Sequence, residues 1–203
     1  MSINYITIER EYGSGGTEIA RRLAEQCKVP CYGREILEAV SREWNVPIER
    51  IEKYEENSTG SFLYSMYALS RAGSGESDLL SLEGHVFVEE QKVIQKMAAS
   101  GNAIFLGHCA AEALKYQKDV INVFIRCSDE KEKRDRISKE YGIEDSQIES
   151  TRKRFDKKRG NYYHANTGRQ WLNFTNYDIV LDSAKLGLDG CVDVLKTIFE
   201  RNA

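Results

Sequence analysis

Residues 6–18 read Ile6-Thr7-Ile8-Glu9-Arg10-Glu11-Tyr12-Gly13-Ser14-Gly15-Gly16-Thr17-Glu18. The start of this stretch is rich in β-branched residues and falls in a strand candidate from Ile3 to Glu9. Gly13, Ser14, Gly15 and Gly16 interrupt it, and a helical pattern follows at once. Ile19, Ala20, Leu23, Ala24 and Cys27 share one face, Arg21, Arg22 and Glu25 lie off it, and Val29-Pro30 ends it. Strand, glycine turn and helix in that order open an α/β unit. Glycines let successive backbone N–H groups converge on oxygen atoms, and a helix start adds unsatisfied N–H groups and the positive end of a dipole; both favour an anion. In the phosphate-loop pattern G-x-x-x-x-G-K-[ST], Gly15 and Thr17 match, whereas Arg10 replaces the first glycine and Gly16 replaces the lysine. The segment alone fits a phosphate cradle or a plain glycine-rich turn.

Three further strand candidates lie downstream. Ala103–Leu106 runs into Gly107, Val120–Cys127 runs into the helix cap Ser128-Asp129-Glu130, and Tyr177–Leu181 precedes a helix from about Leu188 to Arg201. That last helix carries the stripe Leu188, Cys191, Val192, Leu195 and Phe199. Residues 34–57 predict two short helices parted by Asn45-Val46-Pro47, and residues 84–100 predict one long helix. Residues 58–81 form a Ser/Gly-rich loop with a sticky middle that includes Tyr64, Met66 and Tyr67. Strands separated by helices at this spacing predict a parallel sheet covered on both faces.

A chain of 203 residues suits one domain with a large core. Its 29 basic and 32 acidic residues give a net charge of −3, so any phosphate binding is local and a general nucleic-acid grip is disfavoured. The opening residues lack a signal-peptide pattern, and no window reaches the ~18 apolar residues of a membrane span. Cys109, Cys127 and Cys191 sit among apolar neighbours, and Cys27 and Cys31 lack the second pair that a zinc site needs. A reducing, cytoplasmic setting is expected, with no membrane partner.

The segment Glu9-Arg10-Glu11-Tyr12-Gly13-Ser14-Gly15-Gly16-Thr17-Glu18-Ile19-Ala20 resembles the opening signature of the cytidylate kinase-like family. The resemblance extends over most of the chain. It includes Val29-Pro30-Cys31-Tyr32-Gly33-Arg34-Glu35-Ile36-Leu37, Ile104-Phe105-Leu106-Gly107-His108, and Asn176-Tyr177-Asp178-Ile179-Val180-Leu181-Asp182-Ser183. It implies an α/β protein with the three-layer α/β/α P-loop NTPase fold: a five-stranded parallel sheet, an acceptor-binding arm and a helical lid. The core then spans about 1–33, 84–142 and 176–203, the arm about 34–83 and the lid about 143–175.

The resemblance also implies roles. ATP and Mg²⁺ are the expected cofactors, and a CMP- or dCMP-like nucleotide, or a related small phosphate acceptor, is the expected substrate. Arg10, Gly13, Ser14, Gly15, Gly16 and Thr17 would cradle the donor phosphates, with the Thr17 hydroxyl on the metal. Tyr32, Arg34 and His108 would meet the acceptor. Residues 151–159 hold six basic residues and one acid, and Arg152, Asp156 and Arg159 match the R-x-x-x-D-x-x-R lid spacing. Forked guanidinium groups suit the charge of a transferring phosphoryl group, and Asp156 would position an arginine or the acceptor. The same run also reads as a solvated helix face. Residues 162–171 read as a lid return that contacts the base, or as a packing or dimer surface, and a homodimer through residues 58–81 stays open.

Three positions depart from the family pattern. Gly16 removes the phosphate-loop lysine, Gly33 stands where the family usually has Asp, and His108 stands where cytidylate kinases carry Arg. Arg10 is the first candidate to replace the missing cation, ahead of Arg21 or a lid arginine, and Arg34 compensates beside Gly33. The expected activity is phosphoryl transfer from ATP; the alternative is a non-catalytic nucleotide-binding or regulatory module on the same fold.

Overall fold

Strand β1 (Tyr5–Arg10) occupies the centre of the sheet, because its alternating side chains are apolar on one face and its backbone is paired on both edges. The computed structural model describes residues 3–51 and 82–200. Around β1 lie β2 (Cys31–Tyr32), β3 (Ala103–Leu106), β4 (Val120–Arg126) and β5 (Ile179–Asp182), in the order β2-β3-β1-β4-β5. Every pairing is parallel, and Tyr5 stands opposite Ala103 on one side and Val120 on the other. Four of these strands are legible from periodicity. The fifth, β2, is two residues long and follows Pro30 directly, too short to show alternation.

The helices are α1 (Gly16–Cys27), α2 (Arg34–Trp44), α3 (Leu82–Ala99), the single turn α4 (Ala110–Ala113), α5 (Glu130–Tyr141), α6 (Asp145–Thr167) and α7 (Ser183–Glu200). The ends follow local chemistry. Lys28 closes α1 in the left-handed conformation, and its N–H reaches back to Ala24 and Glu25. Asn45 closes α2 in the same way, which places the predicted break at Asn45-Val46-Pro47. The Asp129 carboxylate accepts from the N–H groups of Lys131 and Glu132 at the start of α5. Helix α7 begins at Ser183, five residues before the predicted Leu188, and turns at Gly187 (φ 69°, ψ 171°) before its apolar stripe begins. The expected sticky loop 58–81 lies outside the described residues, as does much of the arm.

Two cores sandwich the sheet. On one face Ile6, Ile8, Ile104, Val123 and Ile125 pack against Leu23 of α1 and Leu195 of α7. On the other, Phe105 meets Ile36, Leu37 and Val40 of α2 and Ile94 of α3. Phe124 meets Tyr163 and Trp171 on that same side, with the Trp171 ring edge-on at 5.3 Å. Truncating any of these side chains to Ala costs about 2–5 kcal/mol. The layers leave one end of the sheet, the C-terminal ends of β1 and β3, as the place where α1, α2 and α6 converge. Among the described residues, no helix is long and apolar enough to cross a membrane.

Candidate phosphoryl-transfer site

The glycine turn has little slack. Gly13 and Gly15 have φ of 77° and 78°, in the left-handed region, and Gly15 caps α1 without a side-chain bond. A Cβ at Gly13 would meet Ile137 Cδ1 at 2.8 Å, and one at Gly15 would meet Leu188 Cδ2 at 2.5 Å. Ser14 is buried, and its Oγ accepts from the Gly16 N–H at 3.3 Å. Thr17 is exposed on the first turn of α1, so its hydroxyl is free to face a ligand at the loop. Helix α5 secures the turn from outside. Arg136 Nη1 donates to the Gly13 carbonyl at 2.6 Å, and the buried Lys133 ammonium pairs with Glu11 at 3.1 Å.

Helix α6 docks on this loop. The Asp156 carboxylate accepts from the Tyr12 N–H at 2.7 Å, and Arg159 Nη1 donates to the Arg10 carbonyl at 3.0 Å. The Tyr12 ring lies between Tyr141, at 5.0 Å, and Phe155, at 4.6 Å and 6° from parallel. The Arg159 guanidinium lies 5.6 Å from that ring and 3.9 Å from Asp156. Burial and the neighbouring charge of Arg10 lower the pKa of Arg159 to about 10. Burial raises that of Asp156, against the opposing pull of the Tyr12 N–H and Arg159. Arg152 goes elsewhere: it pairs with Glu149 at 2.9 Å and Glu130 at 3.7 Å. Of the three predicted lid residues, two reach the loop and Arg152 does not.

A cleft of about 370 Å³ opens between α6 and the ends of β1 and β3, and its polar lining is Glu9, Arg10, Arg34, His108, Lys158 and Arg159, with two tyrosines. Arg10 ties the loop to this cleft. Its stem lies over Gly16, where an added Cβ would meet Arg10 Cβ at 2.6 Å. Its Nη1 reaches the far side, 2.5 Å from where a Cβ on Gly107 would stand. Its Nε is buried with no hydrogen-bond partner. Gly107, His108 and Cys109 take successive left-handed φ values of 78°, 56° and 50°, a costly turn for the last two. The turn sets His108 Nδ1 at 3.9 Å from Glu90 Oε1, and the Tyr162 hydroxyl donates to the other oxygen of that fully buried carboxylate. Glu9 accepts from the Trp171 indole N–H at 3.2 Å, and burial raises its pKa against the pull of Arg10, Trp171, Arg159 and His108.

Arg34 and His108, both expected at the acceptor, line this cleft. Tyr32 is not among the cleft residues, because as a β2 residue it tilts its ring onto Phe105 at 5.5 Å and joins the core. Arg21 pairs with Glu18 and Glu25 on the outer face of α1, whereas the Arg10 stem lies over Gly16. The sequence does not single out Glu9, Lys158, Glu90 or Arg136 as site residues. For Glu9 a signal existed: a charge at the end of a strand, on the face opposite Ile6 and Ile8.

Residues 5–185 match the cytidylate kinase-like family. The chain belongs to it. Among solved structures, this cytidylate kinase-like chain is similar to an uncharacterized protein from Eubacterium ventriosum ATCC 27560, with 22% identity over 97% of this chain and 98% of that one and a TM-score of 0.71. It is also similar to shikimate kinase from Bacteroides thetaiotaomicron, with 13% identity over 97% and 98% and a TM-score of 0.53. These likenesses show the fold, the parallel-sheet P-loop kinase fold expected from the sequence. No curated protein matches the chain. Its departures from the cytidylate kinase-like pattern now have surroundings. The space above Gly16 is filled by Arg10, whereas a Cβ at Gly33 would lie 3.6 Å from Leu106 Cβ, in ordinary contact. Among the described residues no three His, Cys, Asp or Glu side chains gather as a metal site.

Proposed function

We propose that the chain is an ATP- and Mg²⁺-dependent phosphotransferase. It passes the γ-phosphoryl group to a CMP- or dCMP-like nucleoside monophosphate or to a related small anionic acceptor. The observation that carries this reading is the path of Arg10: a stem on the glycine loop, a guanidinium in the adjoining cleft, and a buried Nε with no protein partner. An arginine in that position bridges donor and acceptor and takes over the charge of the absent lysine.

The backbone of Gly13 to Thr17 holds the donor phosphates; the Thr17 hydroxyl would hold a Mg²⁺ ion, which would supply neutralisation of phosphate charge. Arg10 and Arg159 stabilise the phosphoryl group in flight, and Asp156 positions Arg159 and fixes α6 over the loop. Arg34, Lys158 and His108 receive the anionic part of the acceptor. Such transfer rests chiefly on positioning and charge stabilisation. The cysteine usage suits a cytoplasmic setting.

The test is coupled ADP release from ATP with each common monophosphate and with small hydroxy acids. Arg10→Ala should lower kcat/KM by about 100-fold or more while the thermal unfolding midpoint holds. ATP binding by calorimetry without acceptor-dependent ADP release would instead establish the non-catalytic module that the missing lysine allows.

A further inference from the structure

Glu9 is the only acid among the described residues that line the cleft, and it faces four cations there: Arg10, Arg34, Lys158 and Arg159. A carboxylate kept to neutralise one of them would pair with it. Glu9 makes no ion pair among the described residues; its direct contact is the Trp171 indole N–H, on Oε2. That bond fixes the carboxylate and leaves Oε1 for the cleft. The next residue along β1 is Arg10, whose side chain rises from the opposite face of the strand and bends over Gly16 into the same cleft. On the phosphotransferase reading, in which Arg10 bridges donor and acceptor, Glu9 therefore lies beside the place of transfer.

The chemistry of that corner distinguishes two kinds of acceptor. A phosphate monoester offers an oxygen that is already anionic. It needs no base, and a carboxylate beside it adds repulsion. A hydroxyl must lose its proton as the new P–O bond forms, and a fixed carboxylate is the group to receive it. Arg34 and Lys158 on the cleft wall suit an acceptor that carries an anionic group of its own.

We propose, resting on the phosphotransferase reading above and choosing its small anionic acceptor over the nucleoside monophosphate, that Glu9 is the catalytic base for an alcohol acceptor that also carries a separate anionic group. The acceptor oxygen bonds to the γ-phosphorus of ATP, the bond from that phosphorus to the β,γ-bridging oxygen breaks, the hydroxyl proton passes to Glu9 Oε1, and ADP leaves. The product is a phosphate ester rather than a phosphoanhydride. The raised pKa of Glu9 suits a proton acceptor; burial raises it against Arg10 on its own strand, the Trp171 indole, Arg159 on α6 and His108 beyond β3, and Tyr163 and Tyr177 feel its charge in turn.

The experiment incubates the full chain with γ-labelled ATP and Mg²⁺. One panel of acceptors is shikimate, glycerate and glycerol 3-phosphate; the other is CMP, dCMP, UMP and AMP. Product label is then treated with hot acid. The expected result is label in an acid-stable ester. Glu9→Gln should lower kcat by about 100-fold or more at a nearly constant KM and remove the acidic limb of the pH–rate profile. Acid-labile product, or a Glu9→Gln variant within about threefold of the parent kcat, overturns the proposal and leaves the phosphotransferase reading standing. No transfer to either panel by protein that binds ATP overturns both. Calorimetry with CMP adds an arm free of turnover: Glu9→Gln should bind CMP more tightly than the parent by relief of repulsion, and weaker binding overturns the proposal.

Discussion

Arg10 and Gly16 are one structural event. A side chain at position 16 and the Arg10 stem compete for the same volume, with 2.6 Å between Arg10 Cβ and an added Cβ. Gly16→Lys alone should therefore fail to create a working phosphate loop and should cost about 1–3 kcal/mol of stability through overpacking. Arg10→Gly together with Gly16→Lys, which completes the G-x-x-x-x-G-K-T pattern, should recover ATP affinity. Calorimetric titration with ATP and a thermal melt of the single and double variants check both outcomes. Both departures from the pattern are legible in the sequence. That one fills the space vacated by the other is not, because the contact crosses the turn and depends on the left-handed geometry at Gly15.

At the scale of elements, α6 decides how much of the site is preassembled. Its hold on the loop is a half-buried carboxylate on the Tyr12 N–H and a ring pressed between Tyr141 and Phe155. Asp156→Ala leaves that N–H without its acceptor, at about 1–3 kcal/mol. It should raise the KM for ATP, and amide hydrogen exchange over residues 145–167 should quicken. Unchanged exchange in that helix would show that the aromatic stack alone holds it. The spacing of Arg152, Asp156 and Arg159 correctly suggests one helical face. It does not show that Arg152 turns to Glu149 and Glu130, whose carboxylates satisfy it locally, while the other two bond backbone atoms of the loop. A basic run reveals its charge but not which of its members find partners nearby. The same limit hid β2, where pairing with β3 rather than side-chain alternation makes the strand.

Across the whole molecule, a near-even charge count is unevenly spread, with cations gathered at the cleft and many acids on outer helix faces. The acid response follows from the signs of the shifts. Arg21 and Arg22 hold the Glu18 pKa down from 4.5 to about 2, so its contribution to stability is complete above its unfolded value and is lost as pH falls from about 4.5 toward 2. Glu9 and Asp156 are raised, so their protonation on acidification relieves rather than weakens the fold. Glu18→Gln should flatten the fall of the unfolding midpoint below pH 4.5, as followed by circular dichroism. The layered α/β/α plan and the central strand are legible because periodicity and glycine turns are local. The cleft is not, because its polar lining comes from residues 9–10, 34, 107–109 and 155–163, joined only by the fold. The central position of β1 also sets an order of events during synthesis. Tyr5 pairs with Ala103 and Val120, so β1 has neither neighbour in the sheet until about a hundred further residues have followed. The loop at its end then acquires its scaffold late. A nascent chain is thus kept from committing a half-built nucleotide site before the strands that brace it have emerged.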